Sequence, residues 1–174
     1  MQNNKNKETL EIYVLGDDFK YYENLKYLPL TSYPSNIQSA LIVYSLRGTA
    51  KISVHEDVHW IQPDELIILL PGQFVSFSEP SEDFLTVTMV ISSSMFGDAL
   101  SGVPRFSPHF FFYMRQHYYF KMEDVETLSF VDFFELLIRK AVDPENQYRR
   151  ESVILLLRIL FLDIYNHYKV NSLD

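Results

Sequence analysis

From Leu10 to about residue 92 the chain advances in short apolar runs, each closed by residues that favour turns, and this rhythm is the strongest limit on its fold. Leu10–Leu15 stops at Gly16-Asp17-Asp18, and Ala40–Leu46 stops at Arg47-Gly48. Thr49–Val54 turns through His55-Glu56-Asp57 into Val58–Ile61, which ends at Pro63-Asp64. Leu66–Leu70 closes on Pro71-Gly72, Phe74–Phe77 on Glu79-Pro80, and Phe84–Ile91 on Ser92 to Ser94. Runs this short with regular turn signals predict an all-β barrel or sandwich.

The spacing changes after residue 94. Met95–Leu100 reads as one or two helical turns, and Ser107-Pro108 as a cap and first-turn proline opening a helix to about Gln116. Eight of the sixteen residues from Arg105 to Phe120 are Phe or Tyr. That cluster predicts a packed junction between barrel and helices rather than an aromatic binding surface. From Glu123 to about Val142 apolar residues recur at offsets of three and four, opposite a polar stripe that includes Glu126, Asp132 and Arg139. Asp143-Pro144-Glu145-Asn146 breaks this helix, and a second is expected from about Gln147 to Tyr168. Residues 1–120 thus read as a barrel with its aromatic junction and 121–174 as a helical pair within the same unit.

The second helix is apolar around its whole circumference, so more than one of its sides must be covered. One face can pack on the first helix and the barrel; a partner subunit is expected to cover the other, through Val153, Ile154, Leu157, Phe161 and Ile164. The alternative is a barrel that wraps the helix completely. Its apolar stretch is interrupted by Arg158 and falls short of the ~20 residues a bilayer requires. Together with a polar N-terminus that lacks a secretory pattern, this predicts a soluble, cytoplasmic protein with no membrane partner.

Charge and residue types exclude several kinds of chemistry. The net charge is −8 and both parts of the chain are acidic, which argues against phosphate neutralisation and direct nucleic-acid binding. The second helix also lacks the exposed basic face of a recognition helix. There is no cysteine, no Gly-x-Ser-x-Gly, and too few glycines for a phosphate-cradling loop. Of the histidines only His55 and His59 are close in sequence; a hairpin turn separates them, and exposed turn positions are expected for both. The carboxylate pairs Asp17-Asp18, Asp64-Glu65 and Glu82-Asp83 all fall at turns, where a shared acid–base role is not expected. No catalytic constellation emerges, so the chain is not expected to be an enzyme, to bind a metal or to need a cofactor.

The order of elements and several motifs carry a resemblance. Leu41-Ile42-Val43-Tyr44-Ser45-Leu46-Arg47-Gly48, Trp60-Ile61-Gln62-Pro63-Asp64-Glu65-Leu66, Leu70-Pro71-Gly72-Gln73 and Ser81-Glu82-Asp83-Phe84 are similar to the N-terminal sensor domain of AraC-type transcription regulators, especially those of Bacteroides-like gut bacteria. The resemblance implies a cupin-type double-stranded β-helix barrel followed by an antiparallel pair of α-helices implicated in dimerisation. It further implies a small-molecule effector such as a sugar or related metabolite, a homodimer, and DNA binding only through a helix-turn-helix region absent from this chain. On that reading the sequence is the sensor half of a longer regulator.

The places where metal-binding cupins carry their ligands hold Pro34, Asn36 and Leu41 in the first motif and Val75 in the second. The resemblance therefore implies an organic ligand or a scaffold instead of a metal centre. Together with strand alternation it selects Asn36, Leu41, Val43, Ser45, Gln73, Val75 and Phe77 as inward-facing, ligand-binding candidates. The competing readings are a metal-independent cupin enzyme, an isomerase or lyase, and a protein-interaction module with a filled barrel.

Overall fold

Side-chain alternation along the strands sorts the apolar residues into two cores, one inside a barrel and one between the barrel and a layer of helices. The computed structural model describes residues 11–103, 108–122 and 130–171. The strands are β1 (Glu11–Leu15), β2 (Phe19–Leu25), β3 (Ser35–Asn36), β4 (Ala40–Arg47), β5 (Ala50–Val54), β6 (Asp57–Ile61), β7 (Glu65–Leu69), β8 (Phe74–Ser78), β9 (Leu85–Ile91) and β10 (Tyr119–Lys121). All pair antiparallel, in a large sheet ordered β1-β2-β9-β4-β7-β10 and a smaller one ordered β3-β8-β5-β6. The two sheets form a cupin-type β-barrel, and the helices α1 (Ser93–Ser101), α2 (Pro108–Gln116), α3 (Phe130–Val142) and α4 (Arg149–Asn171) cover the outside of the large sheet.

The large sheet is buried on both faces, which explains why β4 and β7 are nearly unbroken apolar runs. On β4, Leu41 and Val43 point into the barrel, where β7 sets Leu69 and Ile67 opposite them. Ala40 and Ile42 point outward to the helices. The smaller sheet has one dry face only: Ala50, Ile52 and Val54 of β5 point inward, Lys51 and Ser53 outward. The strand expectations from Ala40 onward match elements to within a residue or two at each end. The chain also contains three strands that the apolar runs did not mark, β2, β3 and β10. β2 alternates Phe19 and Tyr21 with polar neighbours, and β10 is hidden inside the aromatic cluster.

Ser92 caps α1 by accepting a hydrogen bond from the Met95 amide at 3.0 Å, so the serine triplet that ends β9 also starts a helix. Pro108 opens α2 in the expected first-turn position, while Ser107, its expected cap, lies outside the described residues. The expected start of the first long helix at Glu123 and the following residues to 129 also lie outside them. Among the described residues, no helix is long and apolar enough to cross a membrane.

The surface of α4 corrects the expected dimer face. Val153, Ile154, Leu157, Phe161 and Ile164 are buried in the chain's own helix-side core, where α4 packs against α3, α1 and α2. They are used inside the subunit because the sheet presents a full apolar face that this side of α4 must cover. The apolar side chains left at the surface of α4 lie opposite: Leu155 is 56% exposed, Ile159 47% and Leu162 37%.

Candidate functional site

The barrel interior is the first place to look for a ligand, because six of the seven candidate residues are buried there or beside it. Leu41, Val43, Val75 and Phe77 join Ile52, Ile67, Leu69 and Phe84 in an apolar filling. Ser45 also turns inward and is fully buried, opposite Thr86 of β9. Thr86 Oγ1 donates to the Leu25 carbonyl at 3.2 Å and lies 3.0 Å from Thr88 Oγ1, whereas Ser45 Oγ has no hydrogen-bond partner among the described residues.

Gln73 is buried for a different reason. Its Oε1 accepts from the Leu70 amide at 2.7 Å and its Nε2 donates to the Arg115 carbonyl at 3.2 Å, so it pins α2 to the loop before β8. Asn36 corrects the expectation of an inward residue. It pairs with Phe74 on the outer face of the small sheet, is exposed, and donates from Nδ2 to the Gly72 carbonyl at 3.2 Å. One residue of register separates it from Ser35, which sits opposite the inward-facing Val75.

At one end the barrel opens into a cavity of about 500 Å³, within the range of small-molecule sites. The segment 28–39 forms one wall, and Leu41 of β4 and Val90 of β9 form the inner surface. Leu28, Leu30, Ile37, Leu41 and Val90 make it predominantly apolar, with Thr31, Asn36 and Gln38 supplying polar groups. Thus Asn36 and Leu41 come together at this mouth, while Val43, Ser45, Val75 and Phe77 are packed into the wall or filling and do not line it.

A second polar group lies where β6, the edge of the small sheet, meets β7 and β10 of the large one. His59 is not an exposed turn residue: it faces inward beside Ile52, and its Nε2 is 2.7 Å from Glu65 Oε2. Glu65, expected at a turn surface, is 2% exposed and also accepts from the Gln62 amide at 3.0 Å. The His59 ring stacks on Tyr119 with centroids 3.6 Å apart. Tyr118 donates to Asp57 Oδ2 at 2.8 Å, and burial together with that carboxylate pushes its phenol well above the usual range. The alternation leading back from Ile61 through His59 to Asp57 is the signal that could have placed these residues inside. Among the described residues no group of three or more His, Asp or Glu side chains is arranged to hold a metal ion.

No protein-family model matches the sequence, and no curated protein matches it. Solved structures do. An apo form of a ToxT variant from Vibrio cholerae superposes with a TM-score of 0.57 at 13% identity, covering 88% of this chain and 58% of that one. Wild-type ToxT with a bound unsaturated fatty acid gives 0.52 at 14% identity, covering 90% and 58%. A further crystal form of ToxT gives 0.50 at 16% identity, covering 87% and 57%. The chain therefore spans less than two thirds of the length of the ToxT chains it matches, and the match takes in both barrel and helices.

Proposed function

We propose that this chain is the effector-sensing domain of an AraC-type transcription regulator, taking a small organic ligand at the open end of the barrel. The observation that carries the reading is the fold shared over barrel and helices with ToxT, a regulator of that type, one of whose matched structures holds an unsaturated fatty acid. The mouth suits such a ligand better than a sugar. Its apolar lining is made by Leu28, Leu30, Ile37, Leu41 and Val90, and burying that surface against an apolar body is favourable by about 25 cal/mol per Å². A sugar would need several free converging polar groups, whereas of the polar residues lining the mouth Thr31, Ser35, Asn36 and Gln38 are already bonded to one another or to backbone carbonyls.

Sensing requires that the ligand bind two states of the protein with different affinity. The mouth lies at the ends of β4 and β9, strands whose outer faces support the helices, so filling it bears on the helix layer through a single sheet. DNA binding on this reading belongs to a helix-turn-helix region outside this sequence. The domain would act as a homodimer in which the exposed face of α4 meets its copy. Leu155, Ile159 and Leu162 recur at four and three residues, the spacing of a helix–helix seam. The chain itself would not be an enzyme: where acid, imidazole and phenol meet among the described residues, His59 is paired with Glu65 and Tyr118 with Asp57, so the groups are engaged with one another.

Thermal denaturation tests the ligand reading. An unsaturated fatty acid is expected to raise the melting temperature increasingly with concentration, and Leu41→Trp, which fills the mouth, is expected to remove the effect. A melting temperature indifferent to fatty acids, sugars and other small metabolites would leave a filled interaction module as the better description.

A further inference from the structure

A second cavity, of about 490 Å³, lies outside the barrel between the outer face of the large sheet and α3. Its floor is made by Tyr21, Val87 and Tyr44, and its wall by Phe134, Ile138 and Val142. Leu46 and Val142 at its rim are 41% and 40% exposed, apolar surface that the chain's described residues leave uncovered. The Tyr44 and Phe134 rings meet at a tilt of 31° with centroids 6.5 Å apart, forming an aromatic corner.

The polar groups of the cleft are unevenly divided. Tyr21 donates its phenol proton to Glu23 Oε1 at 2.8 Å, and Tyr44 donates to Asp64 Oδ1 at 2.5 Å. Burial and the adjoining carboxylates push both phenols up, Tyr44 to about 12, so both remain committed donors and have no proton to offer a ligand. Glu23 keeps Oε2 without a hydrogen bond among the described residues, and the exposed Glu135 adds a second carboxylate from α3. Among the described residues the one cation lining the cleft is Arg139, which stands one turn beyond Glu135 and makes no ion pair with them.

We propose that this cleft is a small-molecule site for an organic cation, an amine or quaternary ammonium carried on an aromatic or aliphatic body. The apolar body covers Leu46, Val87 and Val142, and the cationic head lies against Glu23, Glu135 and the half-buried Tyr44 ring. Aromatic faces attract cations, most strongly where water is displaced. An anion of the same shape would meet two carboxylates and two phenols already spent, with Arg139 as its single attraction. The overall charge of −8 adds a long-range pull on cations. Because α3 is the wall and packs on α4, the bound molecule would tie the sheet to the helical pair at a place separate from the barrel mouth.

The test is calorimetric titration of the full chain with phenethylamine and with 3-phenylpropionate, a matched pair differing in the sign of the charged group. Phenethylamine is expected to bind and phenylpropionate to bind at least tenfold more weakly. Glu23→Gln combined with Glu135→Gln, both at the surface and checked for folding by circular dichroism, is expected to weaken the amine by tenfold or more. Arg139→Gln should leave its affinity unchanged or tighten it, and Ile138→Trp should block the cleft. Three results would overturn the proposal: binding of the anion as tight as the amine, amine binding indifferent to the two glutamate substitutions, or no heat from either compound.

Discussion

Gly48, between β4 and β5, has a φ of +74°, and a Cβ there would lie 2.5 Å from Phe84 Cα. Backbone conformation and backbone proximity select glycine together, because the obstructing atom cannot swing away. Gly48→Ala is expected to lose about 2–3 kcal/mol, seen as a lower urea midpoint at an unchanged slope. Asp18 makes a different kind of contribution. Arg150 donates to its Oδ2 at 2.8 Å and Ser92 to its Oδ1 at 2.7 Å, and these bonds hold its carboxyl below the usual aspartate value. A folded-state value below the unfolded one gives stability that is present above the unfolded value of about 3.9 and is lost as pH falls through the folded one. Arg150→Met is therefore expected to lower stability at neutral pH and to flatten its acid dependence. Urea melts of the two proteins should converge at pH values below the folded Asp18 transition; a constant gap down to that pH would contradict the assignment. The Gly48 turn was visible in the sequence as Arg47-Gly48, whereas the Asp18–Arg150 bond joins groups too far apart along the chain for any local pattern to pair them.

At the scale of elements, most strands were legible because burial on two faces writes a continuous apolar run and burial on one face writes an alternation. β10 was not, since Tyr119-Phe120-Lys121 sits inside a longer aromatic stretch and becomes a strand only by pairing with β7. α4 shows the limit from the other side. Its apolar circumference implied cover on more than one face; the subunit itself covers one, and nothing in the spacing said which face that would be. The sheet decides that, taking Leu157 and Phe161 and leaving Leu155 and Ile159 outside. If the outer face joins two copies, Leu155→Asp with Ile159→Asp is expected to give a folded monomer in sedimentation, while Leu157→Asp alone unfolds the chain by placing a charge in the core. A dimer that persists in the double variant would exclude this face.

On the scale of the whole molecule, the two cavities lie on opposite sides of one sheet, one at the barrel mouth beside Leu41 and Val90, the other under α3 beside Tyr44 and Val87. β4 and β9 contribute to both, so the large sheet is the element through which either occupant would be felt by the helices. Sequence alone determined the succession of short strands, the helical pair and the acidic character that argues against direct DNA binding, because periodicity and charge are carried by neighbouring residues; periodicity by itself left barrel and sandwich both open. Tertiary structure alone decided the sites. Asn36 turned outward through one residue of register, Gln73 became a pin between a loop and α2, and His59 and Glu65 closed together across a sheet edge. A strand pattern fixes the two faces of a sheet, but which residues converge depends on how the sheets close and where the helices lie. Those are settled by packing between residues far apart in the chain.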